Sequence, residues 1–174
     1  MKGCIDLSSA DVLVDGFDRI REEVRAVVDG LSEDQLAWRA DEAANSIAWL
    51  VWHLSRVQDD HIAGVAGHEQ VWTADGWAER FGLPFELDET GYGASADDVA
   101  AVRADADLLV AYHEAVHQKT VGYVKTVTDD DLAVVVDENW NPPVTLGVRL
   151  VSVISDDLQH VGQAAFVRGL LTRR

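Results

Sequence analysis

Cysteine is almost missing from this 174-residue sequence. The single one, Cys4, rules out an intramolecular disulfide, so nothing points to an oxidising compartment. Its only basic neighbour is Lys2, which gives no reason to read it as a reactive nucleophile. Absent too is any apolar run near the roughly 18 residues that span a bilayer. The stretch Met1-Lys2-Gly3-Cys4-Ile5-Asp6 carries no signal-peptide core. These absences make the cytoplasm the expected location and argue against a membrane partner. Positive charge is scarce as well. Fourteen Lys and Arg against 31 Asp and Glu leave a net charge of −17, which opposes binding to nucleic acid or anionic lipid. There is no internal repeat and no low-complexity segment.

What remains is ordinary globular material, 48% hydrophobic and 26% charged. The length suits one domain over residues 1–174, able to bury roughly 70% of its unfolded surface without staples. Helical periodicity dominates. A first helix is expected from about Ala10 to Asp29, after a Ser8 or Ser9 cap and before Gly30, with Leu13, Phe17, Ile20, Val24 and Val27 or Val28 as its buried stripe. Ser32-Glu33-Asp34-Gln35 reads as a capping box opening a short helical turn. Asn45 is the expected cap of a second helix, Ser46 to about Val65, whose segment Ile47-Ala48-Trp49-Leu50-Val51-Trp52-His53-Leu54 is apolar nearly all round, as in an interior helix.

The long connection from Gly67 to Ser95 is rich in glycine and aromatics, and its rings require packing partners on the bundle. Connections of this length are usually functional. A short helix is expected near Asp75–Phe81. Ser95 caps a third helical region, about Ala96 to Val127, with a break near Ala104–Asp107. Thr128-Asp129-Asp130-Asp131 reads as a further helix start, and Val134-Val135-Val136 as extended chain. Pro142-Pro143 stops any helix, and Thr145 caps the last one, Leu146 to about Leu171. Its expected core stripe is Leu146, Leu150, Val153 or Ile154, Leu158, Val161, Ala165 and Leu170. The fold class is therefore all-α, a four-helix bundle with a long connection between its second and third helices.

Chemistry concentrates in a separated set: His53 on the second helix, Asp156 and His160 on the last. Four residues apart, Asp156 and His160 differ by about 40° around the helix and point the same way. His53 lies in the most apolar stretch of its helix and should face inward. Two imidazoles and a carboxylate meeting between helices form a three-ligand site for Zn²⁺ or a similar divalent ion, with one position open. The same residues also fit a hydrogen-bonded core histidine beside a solvated Asp–His pair.

The segments Trp52-His53-Leu54-Ser55-Arg56-Val57-Gln58-Asp59-Asp60-His61 and Asp156-Asp157-Leu158-Gln159-His160-Val161-Gly162-Gln163 resemble the DinB-like superfamily. The branch they are most similar to includes mycothiol-dependent maleylpyruvate isomerase. Arg80-Phe81-Gly82-Leu83-Pro84-Phe85 and Thr90-Gly91-Tyr92-Gly93 look like recurrent features of that branch, and helix order agrees over most of the chain. The resemblance implies a four-helix bundle holding zinc or nickel through His53, Asp156 and His160. The middle ligand is Asp here, where the family usually has the longer Glu or a His. Asp157 is an alternative, about 100° away around the helix and less well aimed.

A competing motif is His113-Glu114-Ala115-Val116-His117, the His-Glu-x-x-His pattern of zinc hydrolases, with Glu138 the only nearby downstream Glu. Gln118 and Lys119 follow it directly and no Gly-x-x-His extension appears, so a polar face of the third helix is the stronger reading. Arg56 and Asp60, one and two turns beyond His53, are expected to border the cavity and touch substrate, although Arg56 equally suits an interhelical ion pair. Gln163 is expected to orient a ligand or substrate. His61 and His68 are expected to be exposed.

Taken with the resemblance, the expected function is metal-dependent S-transfer or isomerisation of a small electrophile by a low-molecular-weight thiol such as mycothiol. No catalytic residue is assigned beyond the metal ligands. The alternatives are a non-enzymatic dimeric helical binding module and a zinc metallohydrolase built on His113, Glu114 and His117. Exposed apolar helix faces are compatible with a homodimer.

Overall fold

The computed structural model of the chain describes residues 7–173. Cys4 lies outside them. The first helix, α1 (Ser9–Val28), opens on a reciprocal capping box in which the Ser8 hydroxyl accepts from Asp11 N–H and the Asp11 carboxylate accepts from Ser8 N–H. Its buried residues are the expected Leu13, Phe17, Ile20, Val24, Val27 and Val28. A single turn, α2 (Glu33–Leu36), starts on the expected Ser32–Gln35 box. The next helix, α3 (Ile47–Ala66), is capped by Ser46 rather than Asn45, its hydroxyl accepting from Trp49 N–H at 3.1 Å. Ile47 through Arg56 are all buried, and Gly67 ends the helix in the left-handed region.

The excursion carries two short helices, α4 (Val71–Ala74) and α5 (Trp77–Phe81). It lies on the bundle, as its aromatics require. The Tyr112 ring is met by Trp72 at 5.2 Å, Trp77 at 5.6 Å and Phe81 at 5.7 Å, while Phe85 packs on Trp52 at 5.4 Å. Asp59 fastens α4 by accepting from the N–H groups of Val71 and Trp72, which are free at a helix start, and from Tyr112 Oη. Arg56 fastens the other end of the excursion. Its Nε donates to the Glu89 carbonyl, Nη2 to the Leu87 carbonyl and Nη1 to Gln70 Oε1.

The third helical region divides into α6 (Ala96–Ala101) and α7 (Ala106–Val124). The break has a local cause, since Asp105 accepts from Leu108 N–H at 2.7 Å and so nucleates a new helix. Thr128 starts only a 3-10 turn, Asp131–Ala133. A small antiparallel hairpin follows, β1 (Val135–Asp137) on β2 (Val144–Thr145), pairing Val135 with Thr145 and Asp137 with Val144. Thr145 then caps α8 (Leu146–Thr172).

Four long helices form the bundle. α7 and α8 each flank α1 and also flank α3, so α1 and α3 stand on opposite corners. The buried stripe of α8 departs from expectation. It runs Leu146, Leu150, Val153, Asp157, Val161, Ala164 and Val167, while Leu158 and Ala165 face outward. The regular three–four spacing continues through an aspartate, where hydropathy alone favours the neighbouring leucine. Among the described residues, no helix is long and apolar enough to cross a membrane.

Candidate metal centre

The α3–α8 seam brings His53, Asp156 and His160 together, with one potential ligand atom from each lying within 4.8 Å of the others. Donors bonded to one tetrahedral ion at about 2.0–2.1 Å stand roughly 3.3 Å apart, so side-chain rotation covers the difference. The two imidazoles meet edge to face with centroids 4.7 Å apart, and His160 Nε2 lies 3.6 Å from Asp156 Oδ1. Asp156 Oδ2 is buried without a hydrogen-bond partner, as an atom meant for an ion would be. Asp156 thus offers a carboxylate oxygen within 4.8 Å of a nitrogen of each imidazole.

Each imidazole is held at its far nitrogen. The Thr90 carbonyl accepts from His53 Nδ1, and Gln163 Oε1 accepts from His160 Nδ1 at 3.3 Å. Such bonds fix the tautomer and leave Nε2 of both rings as lone-pair donors toward the cluster. Trp49, one turn before His53, stacks flat on the His53 ring at 4.6 Å and covers that side from water. Burial holds the His53 pKa below its ordinary value. At the other end, the hydrogen bond to His160 draws the Asp156 carboxyl down, and the same contact raises the His160 imidazole. These directions favour the neutral, ligating form of His53 and make protons stronger competitors with an ion at His160 than at His53.

The excursion reaches this site through its backbone. Gly91 has φ +90°, and a Cβ added there would stand 2.9 Å from both His53 Nδ1 and Trp52 Cζ3. Only glycine brings the chain close enough for Thr90 to hold the imidazole. Neither Thr90 nor Gly91 was assigned a role from sequence, although Thr90-Gly91-Tyr92-Gly93 was a visible signal.

The other expected positions fall elsewhere. Arg56 is fully buried and engaged on the excursion, beside Asp59 at 3.8 Å, so it does not border an accessible cavity. Asp60 is half-buried and accepts from Gln70 Nε2, which places it on the same fastening. Asp157 is buried with both carboxylate oxygens unpartnered. Burial pushes its carboxyl well above the usual range, and it is not one of the converging group. His68 is exposed as expected. His61 is half-buried instead, because its Nδ1 accepts from Arg149.

The His-Glu-x-x-His reading is corrected. His113 is buried with Nδ1 donating to Ser55 Oγ, which itself donates to the Val51 carbonyl. His117 Nε2 instead reaches Asp18 at 2.8 Å, and Glu114 pairs with Arg21 and Arg25. Among the described residues His53, Asp156 and His160 are the only converging group of three, so neither histidine of the motif has a ligand set. Nor do these histidines form a polar face, since both are buried against the bundle.

The sequence profile of the Mycothiol-S-transferase family matches residues 12–173. A crystal structure of a conserved protein from Enterococcus faecalis is similar in fold, with a TM-score of 0.90 and 29% identity. That match covers 97% of this chain and 99% of the other. No curated protein matches the sequence. With the family profile extending over α1 through α8 and including all three converging side chains, the chain belongs to the Mycothiol-S-transferase family.

Proposed function

We propose that the protein is a metal-dependent enzyme that transfers or rearranges groups on sulfur, with a low-molecular-weight thiol of the mycothiol type as co-substrate. The observation that carries this reading is the meeting of His53, Asp156 and His160 in a member of this family. Zn²⁺ or Ni²⁺ suits two imidazoles and one carboxylate. A divalent cation there would retain about one net positive charge and favour the thiolate form of an entering thiol. Thr90 and Gln163 orient the two imidazoles, and Trp49 keeps water from one flank. The proposed location is the cytoplasm, where thiols are kept reduced.

Metal analysis of purified protein tests the reading. We expect close to one zinc or nickel per chain, lost in His53→Ala and His160→Ala and retained in His113→Ala. Metal-loaded protein should accelerate conjugation of mycothiol to a reference electrophile. No stoichiometric metal would favour a non-enzymatic bundle, and loss confined to His113→Ala would return the hydrolase reading.

A homodimer is part of the proposal, supported by an outward stripe on α8 in which Val148, Val151, Leu158 and Phe166 are exposed. Sedimentation should give a dimer, and Phe166→Glu a monomer.

A further inference from the structure

A cavity of about 220 Å³ lies between α3, the excursion and the start of α6, and none of His53, Asp156 and His160 lines it. It is smaller than the roughly 300 Å³ at which sites for drug-sized ligands begin, so its occupant is small. Trp49, Trp52 and Phe85 supply aromatic walls. Glu86, Glu89 and Asp98 add three carboxylates, and no Lys, Arg or His is among the lining residues. Asp98 is ionised at neutral pH, because the Ser95 hydroxyl and N–H donate to its Oδ2 and hold its carboxyl below the usual carboxylate range. The rings lie deeper than the acids: Trp49 and Trp52 are 6% and 1% exposed, whereas Glu86 and Glu89 face solvent.

A second observation points to a ligand. Buried indole N–H groups usually have an acceptor, yet Nε1 of both Trp49 and Trp52 is buried without one. The edge of Trp49 that carries Nε1 is turned toward the cavity wall. Cζ2, on that same edge, is the atom of Trp49 that a Cβ on Gly91 would meet at 3.3 Å, and Gly91 lines the cavity.

We propose that this cavity binds a small organic ammonium ion that bears a hydrogen-bond acceptor beside its charged nitrogen. The carboxylates draw the cation in, the rings hold it, and Trp49 Nε1 donates to the acceptor. A divalent metal ion is the poorer occupant. It needs several ligand atoms converging on one point, and among the described residues only His53, Asp156 and His160 converge in that way. Aromatic surface instead favours a weakly hydrated nitrogen cation. The site goes beyond the thiol chemistry of the metal centre and does not depend on it.

Choline and its uncharged isostere 3,3-dimethylbutan-1-ol are titrated calorimetrically into the purified protein. Choline should bind at least about tenfold more tightly, since the two differ in charge and not in shape. Glu86→Gln combined with Glu89→Gln, both at exposed positions, should weaken choline by about threefold or more and leave the alcohol unchanged. Phe85→Leu, which removes one aromatic wall, should weaken choline as well. Glu22→Gln combined with Glu23→Gln takes the same charge from the exposed face of α1 and should leave choline binding unaltered. Ethyltrimethylammonium, which is choline without its hydroxyl, should bind several-fold more weakly than choline. Equal affinity for choline and the alcohol would overturn the proposal. So would equal weakening by the two double variants, which would leave only the general attraction of a −17 chain for cations. Choline binding untouched by Phe85→Leu would overturn the aromatic cage, and parity of ethyltrimethylammonium with choline would overturn the part given to Trp49.

Discussion

The Thr90 carbonyl accepts the Nδ1 proton of His53, a contact across 37 residues that joins the middle of the long excursion to the interior helix. It makes a loop that also packs its aromatic rings on the bundle part of the support of the candidate metal site.

Gly91→Ala tests that support. The new Cβ would meet His53 Nδ1 and Trp52 at 2.9 Å in a left-handed backbone, and strain of this kind costs about 1–3 kcal/mol. Thermal denaturation should show the loss. Metal affinity should fall by roughly 10- to 100-fold, as when an outer partner of a ligating histidine is disturbed. Unchanged metal affinity would mean that Thr90 does not hold the ring.

Arg56→Met removes a buried cation from three acceptors on the excursion: the Glu89 and Leu87 carbonyls and Gln70 Oε1. It also leaves Asp59 without its nearby positive charge. Breaking a buried pair from one side costs about 3–5 kcal/mol. We expect a lower urea midpoint and faster proteolysis between residues 67 and 95. Since Glu89 adjoins Thr90, metal affinity should weaken alongside.

His113 sets an acid limit on stability. Burial lowers its pKa to about 3 from 6.5. Between those values the unfolded chain carries the extra proton, so stability rises with pH and is lost as pH falls, by up to about 1.4 kcal/mol per pH unit from this group. The decline begins near pH 6.5 and is complete below about pH 3. In denaturation series from pH 7 to 4, His113→Gln should lose stability less steeply than wild type. Parallel curves would show that His113 does not carry the effect.

Glu114→Gln and His117→Ala should leave metal content intact. Glu114 serves two arginines of α1, and His117 serves Asp18. The half-exposed Glu114 pairs are each worth about 1 kcal/mol or less, so Glu114→Gln should shift the melting temperature only slightly. A variant of either residue purifying without metal would reopen the hydrolase reading.

Sequence alone determined the parts of this protein that depend on local physics. The Ser8, Ser32, Ser95 and Thr145 caps, the α1 stripe and the placement of Asp156 and His160 on one face follow from hydrogen bonding within a turn and the 3.6-residue period. Tertiary structure decided what depends on contacts far apart in the chain. Whether His53 met Asp156 and His160 was settled by the packing of α3 along α8. The burial of Asp157 in place of Leu158 came from helix rotation against its neighbours, which one helix's hydropathy does not encode. Arg56 became a fastener instead of a cavity residue because carbonyls 31 and 33 residues later came to it. Spacing likewise made His113 and His117 look like ligands, but each side chain found its partner on a different helix, Ser55 on α3 and Asp18 on α1.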